Sequence, residues 1–154
     1  MANKVKSIPE GYHSITPYLY IKGAASAIDY YKKAFGATEL LRMPGPDGKI
    51  GHAEIKIGDS PIMMADENAE IGALSPQTIG GTPMSIMIYV EDVDTVFNQA
   101  IAAGGEQIRP VADQFYGDRT GGLKDPFGFQ WWIATHVEDV SPEEMEKRAK
   151  AAKH

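Results

Sequence analysis

The stretch Gln114-Phe-Tyr-Gly-Asp-Arg-Thr-Gly-Gly-Leu-Lys-Asp-Pro-Phe-Gly-Phe-Gln-Trp-Trp-Ile-Ala-Thr-His136 reads as two strands joined by a tight turn. The turn is Asp125-Pro126-Phe127-Gly128. Proline at its second position and glycine at its fourth suit a type I turn, with the aspartate side chain holding the first residue. The strand that follows, Phe129 to Thr135, is short and aromatic, as befits a strand that packs on one face and lines a space on the other. Ahead of the first strand, Phe115 and Tyr116 precede Gly117-Asp118-Arg119, where Asp118 and Arg119 read as an ion pair pinning the loop.

Working outward, the same order of elements occurs twice. Ile15 to Ile21 is an aromatic-rich strand that Pro17 places near an edge or strand start. Ala24 to Phe35 has apolar residues at helical spacing, with Gly36 as its stop. Thr38 to Met43, Lys49 to Ile57 and Pro61 to Ala65 are strands separated by glycine-rich turns. Residues 66–83 read as a polar linker, after which the pattern restarts. Ser85 to Val90 is a strand, and Asp92 to Ala103 a helix capped by Asp92. Gln107 to Val111, Arg119 to Lys124 and Phe129 to Thr135 are strands. The two halves align at a shift of 69 positions: Thr16 falls on Ser85, Phe35-Gly36 on Gly104-Gly105, and Met64-Ala65 on Ile133-Ala134. The expected boundaries are a lead-in over 1–12, a first module over 13–66, a linker over 67–83, a second module over 84–136, and a tail over 137–154. Ser141-Pro142-Glu143-Glu144 starts a helix in that tail.

Composition narrows the class. The chain has 154 residues, enough for one domain or two small modules sharing a core, and it is 43% hydrophobic and 23% charged. No apolar run approaches membrane-spanning length, and no apolar segment follows the slightly basic N-terminus, so a cytoplasmic chain without a membrane role is expected. With no cysteine, disulfides, thiolate metal sites and a cysteine nucleophile are excluded. A net charge of -6 without a basic stripe argues against nucleic acid as partner. Phosphate loops, nucleotide fingerprints and Ser-His-Asp spacings are missing, and Gly80-Gly81 and Gly121-Gly122 lack the strand-to-helix context of phosphate sites.

The doubled strand-helix-strand-strand-strand pattern, with Tyr116-Gly-Asp-Arg and Asp125-Pro-Phe-Gly before the last strand, resembles the vicinal oxygen chelate superfamily, the glyoxalase, bleomycin-resistance and extradiol dioxygenase group. Thr16-Pro-Tyr-Leu, Tyr31-Lys-Lys-Ala-Phe-Gly-Ala, Gly51-His-Ala-Glu-Ile and Ala134-Thr-His-Val-Glu-Asp-Val-Ser-Pro-Glu-Glu are similar to its PhnB-like branch. The resemblance covers residues 13–136. It implies an α+β fold of two βαβββ modules, each a curved mixed sheet with a helix on one face, followed by a C-terminal helix, and it implies a homodimer. Metal enzymes of this superfamily carry His, Glu or Gln ligands at positions equivalent here to Thr16, Met63, Ser85 and Trp132. None of these four is a competent ligand for zinc, iron or nickel. No metal site of the usual kind and no cofactor is therefore expected, although a displaced divalent metal stays open.

Side chains alternate across a strand, so these positions also define the face opposite the helices. That face carries Tyr18, Tyr20, Met63, Ser85, Met87, Tyr89, Gln130 and Trp132, while Leu19, Ile21, Ile86, Ile88, Ile62, Met64, Trp131 and Ile133 form the helix-facing core. Aromatic rings, methionines and hydroxyls together suit a flat, partly polar organic molecule. The competing reading is a collapsed cavity filled by the rings themselves. His52 and Glu54 lie two apart on one strand and hence on one face, either as an exposed edge pair beside Lys56 or as base and orienter in proton transfer. Tyr116 either faces the same space or packs on the loop, and His13 and His136 read as surface residues. The leading expectation is a metal-free binding protein for an aromatic or amphipathic small molecule. The alternative is a lyase or isomerase using His52, Glu54 and Tyr116.

Overall fold

The structure is a computed structural model that describes residues 4–152; the outermost residues of the lead-in and the tail lie outside the described residues. The chain divides into two compact units, residues 1–81 and 82–154. In the first, β1 (Tyr18–Ile21), α1 (Ala24–Phe35), β2 (Thr38–Pro44), β3 (Ile50–Ile57) and β4 (Ser60–Asp66) build a sheet of order β1-β4-β3-β2. After the four-residue helix α2 (Pro76–Ile79), the second unit repeats the plan. Its elements are β5 (Ser85–Tyr89), α3 (Val93–Ala102), β6 (Glu106–Asp113), β7 (Asp118–Lys124) and β8 (Gln130–His136), in the sheet order β5-β8-β7-β6. In each sheet the first strand runs parallel to the last and the other pairs are antiparallel. With α4 (Pro142–Ala151) closing the chain, this is the expected α+β fold of two βαβββ modules and a C-terminal helix. The registers repeat as well as the order: Tyr18 pairs with Met63 and Met87 with Trp132, the same displacement of 69 on both strands.

Each helix covers one face of its own sheet. In α1, Ala24, Ala27, Ile28, Tyr31 and Ala34 are fully buried, at spacings that put them on one stripe. That stripe packs on the sheet face bearing Leu19, Ile21, Ala53, Ile55 and Met64. In α3 the buried set is Val93, Phe97 and Ala100, over β6, β7 and β8. Two aspartates fix the entries and turns. At the end of β4, Asp66 accepts the Gly23 and Ala24 amides on Oδ1, each at 3.0 Å, and the Ile50 amide on Oδ2 at 2.7 Å. One carboxylate thus ties the start of α1, where it also favours the helix dipole, to the start of β3.

The second is Asp125. Its Oδ1 accepts the Phe127 and Phe129 amides at 2.8 and 3.0 Å, and its Oδ2 accepts Trp131 Nε1 at 2.9 Å. The Gly128 amide closes the turn on the Asp125 carbonyl at 3.2 Å. The carboxylate therefore shapes the β7–β8 turn and satisfies the one polar atom of a tryptophan that is fully buried.

Four departures from the sequence expectations have physical causes. β1 begins at Tyr18 rather than Ile15, so Thr16 precedes the strand; Pro17 has no amide to give and contributes its carbonyl to the Met63 amide at 2.9 Å. Residues 66–81 are structured within the first unit: Asn68 bridges Ala73, Ala69–Ile71 makes a 3-10 turn, and Glu67 accepts the Ser75 amide and the Thr78 hydroxyl. β6 is longer than expected, with register irregularities on either side of Arg109, next to Pro110. Asp118 and Arg119 do not pair, because alternation along β7 sends them to opposite faces; Arg119 instead holds Asp94 at 2.8 Å and Asp113 at 3.1 Å.

Replacing Asp125 by alanine removes three charge-assisted hydrogen bonds at a buried site, and urea unfolding should show a loss of about 3 kcal/mol; a loss indistinguishable from zero would mean the turn holds without its carboxylate.

Candidate functional site

With the helices on one side, each sheet leaves its other face open. On the first sheet, Tyr18 and Tyr20 keep 40% and 41% of their surface. Met63, half-buried, stands between Tyr18 on β1 and Glu54 on β3. His52 and Glu54 are partly buried there, with 26% and 15% of their side chains exposed. A chain of hydrogen bonds links these groups. The Tyr18 hydroxyl meets His52 Nδ1 at 2.8 Å, His52 Nε2 meets Glu54 Oε2 at 2.7 Å, and the Tyr12 hydroxyl donates to Glu54 Oε1. A carboxylate can only accept, so Nε2 carries a proton; in the neutral imidazole Nδ1 then accepts from the Tyr18 hydroxyl. Burial, and secondarily the neighbouring Tyr20 phenol, push the Tyr18 hydroxyl above its ordinary pKa and keep it protonated.

The reading of His52 and Glu54 as an exposed edge pair beside Lys56 is not met. β3 is an interior strand, and Glu54 commits both oxygens to His52 and Tyr12. Tyr12, which no sequence signal singled out, lies 42 positions before its partner. Beside Tyr18 and Tyr20 a cavity of about 580 Å³ opens, bounded also by Ile50 and Ile71 and by the charged Asp47, Lys49, Glu67 and Glu70.

On the second sheet's open face, Ser85, Met87 and Tyr89 are exposed, and Gln130 and Trp132 are half-buried. Its polar chain is different. The Tyr89 hydroxyl donates to Asp118 Oδ2 at 2.8 Å, and His136 bridges Asp118 Oδ1 at 2.8 Å and Asp139 at 2.7 Å. Asp118 is 5% exposed, so these partners hold a nearly buried charge. The hydrogen bond to Asp118, reinforced by burial, raises the Tyr89 pKa. Asp139 first and Asp118 second raise that of His136, which is exposed as expected, as is His13. Tyr116 is half-buried and packs edge-on against Phe115 at 5.2 Å. Within the first unit, the hydroxyls bonded to the His52–Glu54 pair are those of Tyr12 and Tyr18.

Trp132 lies flat across Gly122, where an added Cβ would fall 2.4 Å from Cζ3 of the indole. The Arg109 guanidinium stands 5.7 Å from the centre of that ring. Arg109 also escaped the sequence reading, since the register irregularities on either side of it are invisible in a residue pattern.

The four positions that the family resemblance equates with metal ligands, Thr16, Met63, Ser85 and Trp132, offer two hydroxyls, a thioether and an indole. That donor set does not fit a divalent transition metal. Among the described residues, no group of three or more His, Asp or Glu is gathered closely enough to hold a metal ion.

Comparison with known proteins agrees with this fold. Residues 11–133 match the Glyoxalase/Bleomycin resistance protein/Dioxygenase superfamily, and the chain belongs to that family. An uncharacterized protein of Mycobacterium bovis is 40% identical over 136 residues, covering 86% of this chain and 90% of the relative. The crystal structure of TioX from a Micromonospora species is similar at a TM-score of 0.64 and 25% identity, over 84% of this chain and 100% of that one. A PhnB protein from Bacillus cereus shares the fold at a TM-score of 0.62 and 21% identity, over 80% of this chain and 99% of that one. No helix among the described residues is long and apolar enough to cross a membrane.

The raised pKa of His136 has a signed consequence. The contacts with Asp118 and Asp139 stabilise the fold fully below about pH 6.5, the value in the unfolded chain, and that contribution is lost as pH rises through the folded-state value. Urea midpoints measured from pH 5.5 to 8.5 should therefore fall more steeply for the parent than for His136→Gln; parallel slopes would remove His136 as the titrating group.

Proposed function

We propose that this protein binds a small, partly aromatic organic molecule on the open faces of its sheets without using a metal ion. The observation that carries the reading is the Tyr18–His52–Glu54–Tyr12 chain, set beside exposed tyrosines at the edge of a cavity of about 580 Å³. The cavity wall combines the Tyr18 and Tyr20 rings with the charged groups of Asp47, Lys49, Glu67 and Glu70, which suits a partly polar ligand. The hydrogen bonds fix the tyrosine and histidine rings before any ligand arrives, so less ordering remains to be done on binding. Ser85, Met87, Tyr89, Gln130 and Trp132 offer the second sheet's open face for the same use, with adaptable methionine beside flat rings.

A second reading rests on one feature of the same chain. His52 stands between a carboxylate and a phenol, so a substrate proton would reach it through the Tyr18 hydroxyl, which accepts that proton as it passes its own to Nδ1, while Glu54 orients the ring. That reading makes the protein a lyase or isomerase, with Tyr12 and Tyr18 as the hydroxyls bonded to the His52–Glu54 pair.

A thermal-shift screen of aromatic metabolites, antibiotics and divalent metal salts separates the possibilities. A ligand at a hundredfold over its Kd adds about 2.7 kcal/mol, a readily visible shift. Stabilisation by an aromatic compound, weakened at least tenfold in affinity by Tyr20→Ala, is the expected result. Stabilisation by one metal salt alone would overturn the metal-free reading. Turnover of a stabilising compound that His52→Gln abolishes, with binding retained, would establish the enzyme instead.

A further inference from the structure

The second sheet's open face has a feature that the first lacks. Of the four arginines in the chain, three hold carboxylates: Arg42 with Glu39, Arg119 with Asp94 and Asp113, and Arg148 with Glu138 and Glu144. Arg109 has no carboxylate within ion-pair distance among the described residues; its neighbour is the Trp132 ring. The nearby Lys124 is already matched by Glu106 at 3.9 Å. Arg109 is thus the one arginine whose guanidinium fork is left over.

Its position follows from the strand registers. Arg109 on β6 pairs with Gly122 on β7, Gly122 with Trp132 on β8, and Trp132 with Met87 on β5. The row across the sheet therefore runs cation, bare backbone, indole, thioether. Because Gly122 has no side chain, the indole lies down across β7 toward the guanidinium instead of standing up from the sheet. One pair along, Ser85 opposite Gln130 supplies a hydroxyl and an amide on the same face. The strand pairing is irregular on both sides of Arg109, next to Pro110, and the Arg109 guanidinium stands over the Trp132 ring.

We infer that this row is a binding site for a planar organic carboxylate. The ring of the ligand lies beside the Arg109 guanidinium, over the Met87 side of the Trp132 indole, and its carboxylate takes both prongs of the guanidinium, whose rigid fork matches a carboxylate in plane. The inference rests on the reading of the open faces as binding surfaces and adds the charge and shape of what they take. A carboxylate is preferred over a neutral group because it makes charge-assisted hydrogen bonds with the exposed Arg109 guanidinium that an amide cannot match.

The test uses the full chain, labelled with ¹⁵N. Its two indole N–H signals belong to Trp131, buried and bonded to Asp125, and to Trp132, and Trp132→Phe assigns them. Titrations at constant ionic strength compare 4-nitrobenzoate with its neutral isostere 4-nitrobenzamide. The acid should move the Trp132 signal with a midpoint at least tenfold below that of the amide, leaving Trp131 in place. Arg109→Gln should raise the acid's midpoint to that of the amide without changing the amide's own, and Arg109→Lys should fall between. Equal midpoints for acid and amide in the parent would overturn carboxylate recognition while leaving the open face as a binding surface. An acid midpoint unmoved by Arg109→Gln would likewise remove Arg109. If neither compound moves Trp132, the carboxylate site falls, and the separate thermal-shift screen decides the broader reading.

Discussion

Side chains leave a strand on alternate sides, and in each unit a single long helix lies over the sheet. Everything of functional interest here follows from that pair of facts. One parity of every strand must be apolar to meet the helix; the other is released from that demand. Trp131 and Trp132 show how sharp the division is. Adjacent in sequence and identical in chemistry, one is fully buried with its Nε1 donating to Asp125, and the other lies half-buried on the open face. A one-residue slip of β8 would turn Trp131 out onto the open face and break its hydrogen bond to the Asp125 carboxylate. Asp125 thus holds the register as well as the turn.

The open faces still have to accommodate polar atoms that are partly removed from water. Both do so by chaining a tyrosine hydroxyl, a carboxylate and a histidine, yet the two chains are not copies. Tyr18 of the first chain corresponds by the repeat to Met87, and Tyr89 of the second corresponds to Tyr20. The place of Glu54 opposite Met63 is taken in the second sheet by Gly122 opposite Trp132. The repeat carries strands, faces and registers from one half to the other but leaves the chemistry of each face free. A hydrogen-bonded, partly buried charge is the recurring solution because an unpartnered one there would cost several times what each bond contributes.

How much of this could be read from sequence follows the same division. Element order, the repeat and the assignment of Leu19, Ile21, Met64, Trp131 and Ile133 to the core were legible, since burial imposes a period that survives in residue types. So was the Asp125 turn, because proline, glycine and aspartate have narrow backbone roles. The partners on the open face were not. Tyr12 reaches Glu54 from 42 positions away, and nothing local to either residue encodes that meeting. Asp118 and Arg119 misled for a related reason: adjacency in sequence suggested contact, whereas adjacency on a strand guarantees opposite faces. Residues 66–81 looked like a linker because short capped turns bury little and leave no periodic trace.

Gly122 states the limit of residue-type reasoning most clearly. In a sequence, Gly121-Gly122 looks like flexibility or a bulge, a place where a strand weakens. In the sheet the two glycines are crowded positions on opposite faces. A Cβ on Gly121 would fall 2.7 Å from Val111 and 2.9 Å from Phe97 of α3, and one on Gly122 would strike the Trp132 ring. The first glycine lets the helix approach the sheet, and the second lets the indole lie flat where Arg109 can reach its face. Missing side chains thus bring the helix onto the covered face and set the shape of the open one, so the surface offered to a ligand depends as much on what β7 leaves out as on what β8 provides.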